Sequence, residues 1–344
     1  PHTPRSDLVT DAASPAPRPP SHAGPPTRWS IDLPDLAGRR ALVTGASDGV
    51  GVEIARTLAS AGSHVVMPVR NRGKGERAID DIVRDIPSAQ LELRDLDLAS
   101  FTSVRALVRG LADEARPLDI VVLNAGVVRI GDPERHLTED GGELHMQTNA
   151  LAHAALLAGI VPVLRGHGAR VAVQCSLAAN HGRVPWDDVA FEHGYRPMRA
   201  YAASKMLLGL AAREFARRSA HGAWGIRTVL CHPGVALTNI APAEMRESPR
   251  WAARVGRSLM DRGVFGQSAA DAALPALMAV TADDLTDEDL VVPGGLGELR
   301  GRPRPRRLYR RLADPTAGAR AWALVEQMTG ARLPDDAGAS AARA

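Results

Sequence analysis

Thr44-Gly45-Ala46-Ser47-Asp48-Gly49-Val50-Gly51 is the stretch that decides the fold. It continues the apolar run Arg40-Ala-Leu-Val-Thr44 and leads straight into Val52-Glu-Ile-Ala-Arg-Thr-Leu. The first run reads as a buried strand, and the second opens a segment with helical periodicity. Glycines at such a junction have a chemical use. A tight strand-to-helix turn needs residues that tolerate unusual φ, and bare backbone lets a pyrophosphate come close. The helix N-terminus adds partial positive charge. A purely structural turn has the same composition, so the weight rests on the placement between strand and helix.

Outward from this loop the same rhythm repeats. His64-Val-Val-Met67, Leu91-Glu-Leu93, Ile120-Val-Val-Leu123, Arg170-Val-Ala-Val173 and Arg227-Thr-Val-Leu-Cys231 read as further buried strands. Helix-period segments separate them, roughly at 50–61, 74–86, 100–115, 143–165 and 200–220. Strand–helix alternation without an internal repeat predicts an α/β fold with one Rossmann-type, doubly wound parallel sheet. Residues 1–35 carry prolines at 1, 4, 15, 17, 19, 20, 25, 26 and 34 and few apolar residues. They are expected to form a disordered or extended arm. The expected organisation is that arm, one Rossmann-type α/β domain over 36–310, and a partly disordered C-terminal extension over 311–344.

The bulk composition bounds the function. An apolar fraction of 45% suffices for a core, but only 3% of residues are aromatic, so Ala, Val and Leu must build it. Two cysteines, Cys175 and Cys231, make no disulfide framework, and no Cys/His cluster has metal spacing. No metal is expected, and the chain suits a reducing cytoplasm. No stretch is apolar enough for a membrane span, and the N-terminus lacks the pattern of a signal peptide. The net charge is +3. A basic run, Arg302-Pro-Arg-Pro-Arg-Arg-Leu-Tyr-Arg-Arg311, stands without any nucleic-acid motif and is expected to be a solvated or ion-paired surface.

The ligand end follows from strand ends. Arg70 stands just after the second strand, with Arg72 close behind. An acidic residue in this region would bind the adenosine ribose hydroxyls of NAD(H), whereas a cation suits a 2′-phosphate. NADP(H) is therefore expected, in preference to NAD(H). Asp97 ends the third strand and Asn124-Ala125-Gly126 the fourth, where open α/β sheets place ligands. Asp97 suits the adenine amino group, and it equally suits a helix cap before Ser100.

Tyr201 and Lys205 stand at i and i+4 of an expected helix, on one face. A phenol is a poor acid–base group at neutral pH, and a neighbouring ammonium lowers its pKa. With three tyrosines and two lysines in 344 residues, chance placement gives such a pair only about 0.02 times. Arginine is this chain's ordinary cation, since Lys74 and Lys205 are its only lysines. Lys205 thus points to a need for a compact, tunable charge. Ser176 follows the fifth strand and can orient a substrate oxygen, or simply cap a turn. Asn149 lies within an expected helix, an unfavourable place that suggests a structural or proton-relay role. A serine hydrolase is the obvious rival, but Gln174-Cys175-Ser176-Leu177-Ala178 is no nucleophile elbow.

Taken in order, Thr44-Gly-x-x-x-Gly-x-Gly51, Asn124-Ala-Gly126, Asn149, Ser176, Tyr201-x-x-x-Lys205 and Pro233-Gly234 resemble the short-chain dehydrogenases/reductases. The long stretch from Ser176 through Trp186-Asp-Asp to Tyr201 is similar to the retinol dehydrogenase and protochlorophyllide reductase group. So are Val69-Arg70-Asn71, Leu96-Asp97-Leu98-Ala99-Ser100 and Gly294…Glu298-Leu-Arg-Gly301. The resemblance implies roles for each position. Tyr201 is the general acid/base, and Lys205 holds the nicotinamide ribose and lowers the tyrosine pKa. Ser176 holds the carbonyl, and Asn149 anchors a relay water. Gly45, Ser47, Asp48, Val50 and Gly51 wrap the pyrophosphate, with Arg70 at the 2′-phosphate. Asp97 and Leu98 frame the adenine, Asn124, Ala125 and Gly126 the adenosine side, and Pro233, Gly234, Val235 and Thr238 the nicotinamide. Two positions depart from the pattern. Asp48 replaces a common basic residue, and Cys175 a common serine.

The resemblance also implies that residues 239–263 form a lid over the substrate. Met245, Trp251, Val255, Leu259 and Met260 would give it an apolar face, which suits an apolar carbonyl or secondary alcohol and equally suits ordinary helix packing. The resemblance implies pairing through the helices of Asn149 and Tyr201, so a homo-oligomer is expected. The Arg- and Ala-rich usage suggests a bacterial enzyme of secondary metabolism. The alternative is a nucleotide-sensing or scaffold protein without catalysis on the same fold.

Overall fold

Apolar runs that alternate with amphipathic segments can bury both faces of a parallel sheet, and this chain does so. A computed structural model describes residues 28–236 and 266–334. Its sheet has eight strands in the order β3-β2-β1-β4-β5-β6-β7-β8. They span Arg40–Val43 (β1), His64–Val69 (β2), Gln90–Asp95 (β3), Ile120–Leu123 (β4), Arg170–Gln174 (β5), Arg227–Cys231 (β6), Asp289–Pro293 (β7) and Pro303–Arg307 (β8). β1 to β7 run parallel, and β8 pairs antiparallel to β7. The strand order reverses between β1 and β4, the switch point where such sheets bind ligands.

The helices are Gly49–Ser60 (α1), Arg72–Asp85 (α2), Phe101–Asp113 (α3), Pro197–His221 (α5), Ala269–Thr281 (α6) and Pro315–Thr329 (α7). Between α3 and α5 lies α4, which is not one regular helix. It begins at Leu144–Met146, widens to a π-helix over Gln147–Leu151 and returns to α over Ala152–Gly159, with Val161–Leu164 following. Successive strand side chains point to opposite faces. Leu42, Val121 and Val171 meet α3, α4, α5 and α7, while Val43, Val122 and Ala172 meet α1 and α6. Burial on both faces explains why these strands read as unbroken apolar runs.

Three differences from expectation stand out. β7 and β8 were not foreseen, and β8 (Pro-Arg-Pro-Arg-Arg) has an unlikely composition for a strand. Its prolines are tolerated because it is the last strand of the sheet, where one side needs no donors. The basic run is therefore largely an edge strand, with Arg302, Arg304 and Arg307 exposed. Second, the packed body runs past 310. α7 lies on α5, and Trp322 is fully buried, with its ring 6.2 Å from that of Phe215. Third, residues 28–35 belong with the body rather than the arm. The Arg28 main-chain N–H donates to Asp271 Oδ1 at 2.9 Å, and Trp29 and Ile31 pack on the core. Among the described residues no helix is long and apolar enough to cross a membrane.

Candidate active site

The loop after β1 is built around close backbone approaches. A Cβ at Gly51 would lie 2.3 Å from the Gly45 carbonyl oxygen and 2.6 Å from Asn124 Nδ2, so only glycine lets α1 start here. Asp48 is the N-cap of α1, but its side chain makes no hydrogen bond to the first turn. Its Oδ2 lies 3.9 Å from Lys74 Nζ on the first turn of α2. Lys74, which sequence reasoning passed over, thus brings a cation to the loop that Asp48 makes acidic. Val50 and Gly51 are buried at the start of α1, while Ser47 keeps part of its surface open.

Arg70 is exposed at the end of β2, and makes no hydrogen bond or ion pair among the described residues. Arg72 is engaged, with Asp95 at 3.1 Å and Glu76 at 3.6 Å. The Asp97 carboxylate accepts from the Ala99 N–H at 2.9 Å. It is not the cap of α3; Ser100 is, accepting from the Ser103 N–H. Leu98 is buried in the core at 6% exposure.

Thr44 ties the first loop to the second. Its hydroxyl oxygen accepts from the N–H groups of Asn124 (2.9 Å) and Ala125 (3.0 Å). Asn124 Nδ2 donates to the Thr44 carbonyl at 2.9 Å, while its Oδ1 accepts from Gln174 Nε2 at 2.7 Å. Gly126 follows at a point of contact: a Cβ there would sit 3.2 Å from Asn149 Oδ1 and 3.4 Å from Lys205 Nζ.

Asn149 lies in the π-helical turn of α4, fully buried. Its Oδ1 accepts from the Val127 N–H at 2.7 Å, and Nδ2 donates to the Val127 carbonyl and to Ser204 Oγ, both at 3.0 Å. Its side chain therefore pins the loop after β4. Ser176 caps the short 3-10 turn Leu177–Asn180 by accepting from the Ala178 N–H at 3.2 Å. The Ser176 hydroxyl also acts on the Tyr201 phenol.

Burial raises the Tyr201 phenol above its ordinary range, and the neighbouring Ser176 hydroxyl opposes that rise. Lys205 was expected to do the lowering. Its Nζ instead donates to the Gln174 carbonyl at 2.9 Å, and burial lowers its own pKa. Its charge acts on a residue that sequence reasoning missed, His153. This imidazole is fully buried, with Nδ1 3.2 Å from the Asn149 carbonyl and Nε2 3.1 Å from Thr44 Oγ1. Burial and then Lys205 hold its pKa at about 3, so it stays neutral. The i,i+4 spacing from Asn149 was a signal that could have found it. His145 was also missed. It meets Tyr201 edge-on, ring centroids 6.3 Å apart, and its Nδ1 lies 2.8 Å from Glu143 Oε1.

Pro233, Gly234 and Val235 follow β6 at the same end of the sheet. Thr238 and the expected lid over 239–263, with Met245, Trp251, Val255, Leu259 and Met260, lie outside the described residues. In the loop after β4, Asp132, Glu134 and His136 bring ligand-type atoms within 4.8 Å of one another. The His136–Asp132 pair at 2.6 Å accounts for part of that cluster.

A family profile described as short chain dehydrogenase matches residues 39–248. Mouse (Mus musculus) polyprenol dehydrogenase is 33% identical over 80% of this chain and 83% of its own length. Human retinol dehydrogenase 12 is 35% identical over 63% of this chain and 67% of its own. A Mycobacterium paratuberculosis structure superposes with a TM-score of 0.71 at 31% identity, covering 88% of this chain and 98% of that one. A Burkholderia cenocepacia short chain dehydrogenase in complex with NADP gives 0.55 at 27% identity, covering 72% and 93%. The chain belongs to the short-chain dehydrogenase/reductase family and is an NAD(P)-dependent oxidoreductase of the carbonyl–alcohol type.

Proposed function

We propose that the chain interconverts an apolar carbonyl compound and its alcohol with NADP(H), using Tyr201 as general acid/base. The observation that carries this reading is the geometry of α5, which sets Tyr201 one helical turn from the buried Lys205, whose Nζ donates to the Gln174 carbonyl two residues before Ser176. In reduction the Tyr201 phenol gives its proton to the substrate oxygen, and Ser176 donates to that oxygen and orients it. In oxidation the phenolate takes the proton back. Lys205 supplies positive charge next to the site without the bulk of a guanidinium. Asn149 and His153 hold the π-helical turn against the loops after β1 and β4.

The residues present suit a dinucleotide. The Gly45–Gly51 contact leaves room for backbone to approach a pyrophosphate, and Arg70 is an exposed guanidinium with no partner among the described residues. When bound, the nicotinamide supplies the hydride. Arg70 carries the preference for NADP(H) over NAD(H). The relatives named for polyprenol and retinol support a long apolar alcohol or its carbonyl as substrate. The buried, unpaired Cys175 and Cys231 fit a reducing cytoplasm.

NADPH consumption over a panel of apolar aldehydes and ketones tests the reading. Tyr201→Phe should cut turnover roughly a hundredfold or more while NADPH binding holds. Unchanged turnover in that variant sinks the mechanism. Cofactor binding without turnover on any carbonyl favours the sensor or scaffold reading instead.

A further inference from the structure

Glu298 stands in backbone that disfavours it. Its φ is 61°, in the left-handed region, directly after Gly297 at φ 62°. A glutamate there costs backbone strain, and a strained, buried carboxylate is commonly held for a purpose. Only 8% of Glu298 is exposed, and its oxygens are fully engaged. The Tyr309 hydroxyl donates to Oε2 at 2.6 Å, His232 Nε2 lies 3.2 Å from the same oxygen, and Arg306 Nη1 donates to Oε1. The three donors also stack. The His232 and Tyr309 rings lie 6.4 Å apart at 24°, and the Arg306 guanidinium sits 4.9 Å over Tyr309. With His232 first among the causes, these partners hold the Glu298 carboxyl down at about 2, so it is ionised at any working pH.

The network leads to the Pro233–Val235 turn. His232 Nδ1 accepts from the Gly234 N–H at 3.1 Å, which leaves the imidazole proton on Nε2 for Glu298. Gly234 itself is in the left-handed region at φ 66°, and a Cβ there would meet the Leu299 carbonyl oxygen at 2.4 Å. The Val235 N–H donates to that same carbonyl at 2.8 Å. Gln267 closes the other side. Its Nε2 donates to the Pro233 carbonyl at 2.7 Å, and its Oε1 accepts from the Gly301 N–H at 3.1 Å. The turn after β6 is thus set by the segment 298–301, far away in sequence.

We infer that Glu298, acting through His232, is a positioning residue that sets the Pro233–Val235 turn and, through it, the seat of the cofactor's nicotinamide end. This rests on the reading of the site as NADP(H)-binding, so the test separates the two halves of the dinucleotide. Isothermal titration of the full chain uses NADPH and 2′,5′-adenosine diphosphate, which has the adenosine half and both phosphates but no nicotinamide. Glu298→Gln keeps the shape and removes the charge; Tyr309→Phe removes a single hydroxyl and serves if the first variant folds poorly. NADPH should bind about tenfold more weakly to Glu298→Gln and about threefold more weakly to Tyr309→Phe, the size of one charge-assisted contact. The diphosphate should bind within about twofold of wild type in both. Equal weakening of both ligands shows a general structural role and overturns the inference, as does NADPH binding that does not change. A wild-type chain that binds neither ligand overturns the nucleotide reading, and this inference with it.

Discussion

At the scale of single residues, the tyrosine is governed by a different neighbour from the one its spacing suggests. Burial raises Tyr201, and the Ser176 hydroxyl opposes that rise by stabilising phenolate. Alcohol oxidation needs phenolate, so its rate climbs with pH as Tyr201 ionises. Ser176→Ala should move that rising limb to higher pH as well as slow turnover; rate–pH profiles of oxidation check it, and an unmoved limb removes Ser176 from the titration. His153 allows a second prediction, on stability. Its pKa is about 3 in the fold against 6.5 for an ordinary histidine. Between those values the unfolded chain binds a proton that the folded chain refuses. The stability is present above 6.5 and is lost as pH falls, by up to about 1.4 kcal/mol per pH unit within that window. Denaturant midpoints at neutral and mildly acidic pH should therefore converge in His153→Gln. A slope as steep as wild type would assign the acid sensitivity elsewhere.

Between residue and fold, the elements show what periodicity can and cannot reveal. The five helix-period segments of the sequence all appear near their expected bounds, because each needs an apolar stripe that recurs every three or four residues. The π-helical turn Gln147–Leu151 was invisible, since one extra residue per turn leaves no mark on such a stripe. β8 was hidden by its prolines, and α7 by its position after a basic run. α7 also bears on association. It lies across α5 and α4, the helices expected to pair two copies, and buries Trp322 and Val325 against them. Trp322→Ala should cost about 3–5 kcal/mol, as large aromatic truncations in a core do. Ending the chain before Asp314 should bare the apolar face of α5 and drive self-association, read by light scattering on a sizing column. A truncated chain as monomeric as the full one would mean that α7 does not guard that face.

Across the whole molecule, the parts legible in sequence are those where one residue type answers one local demand. Glycines at a strand–helix junction and a lysine in a chain of arginines are of that kind. The long-range partners were not legible: Lys74 reaches Asp48, His153 reaches Thr44, and Glu298 reaches His232, all through the folding of the sheet. Cofactor binding tests this assembly globally. A ligand held by the folded chain alone stabilises it by RT ln(1 + [L]/Kd), about 2.7 kcal/mol at a hundredfold excess over Kd. NADPH should therefore raise Tm by more than NADH at equal concentration, the difference reflecting the 2′-phosphate. Arg70 is exposed and has no partner among the described residues, so Arg70→Ala should leave the unliganded Tm nearly unchanged. In that variant the NADPH shift should fall to the level of NADH, with the NADH shift as in wild type. If NADPH keeps its advantage in Arg70→Ala, the 2′-phosphate is read by another cation, and Lys74, 3.9 Å from Asp48 beside the loop, is the residue to change next.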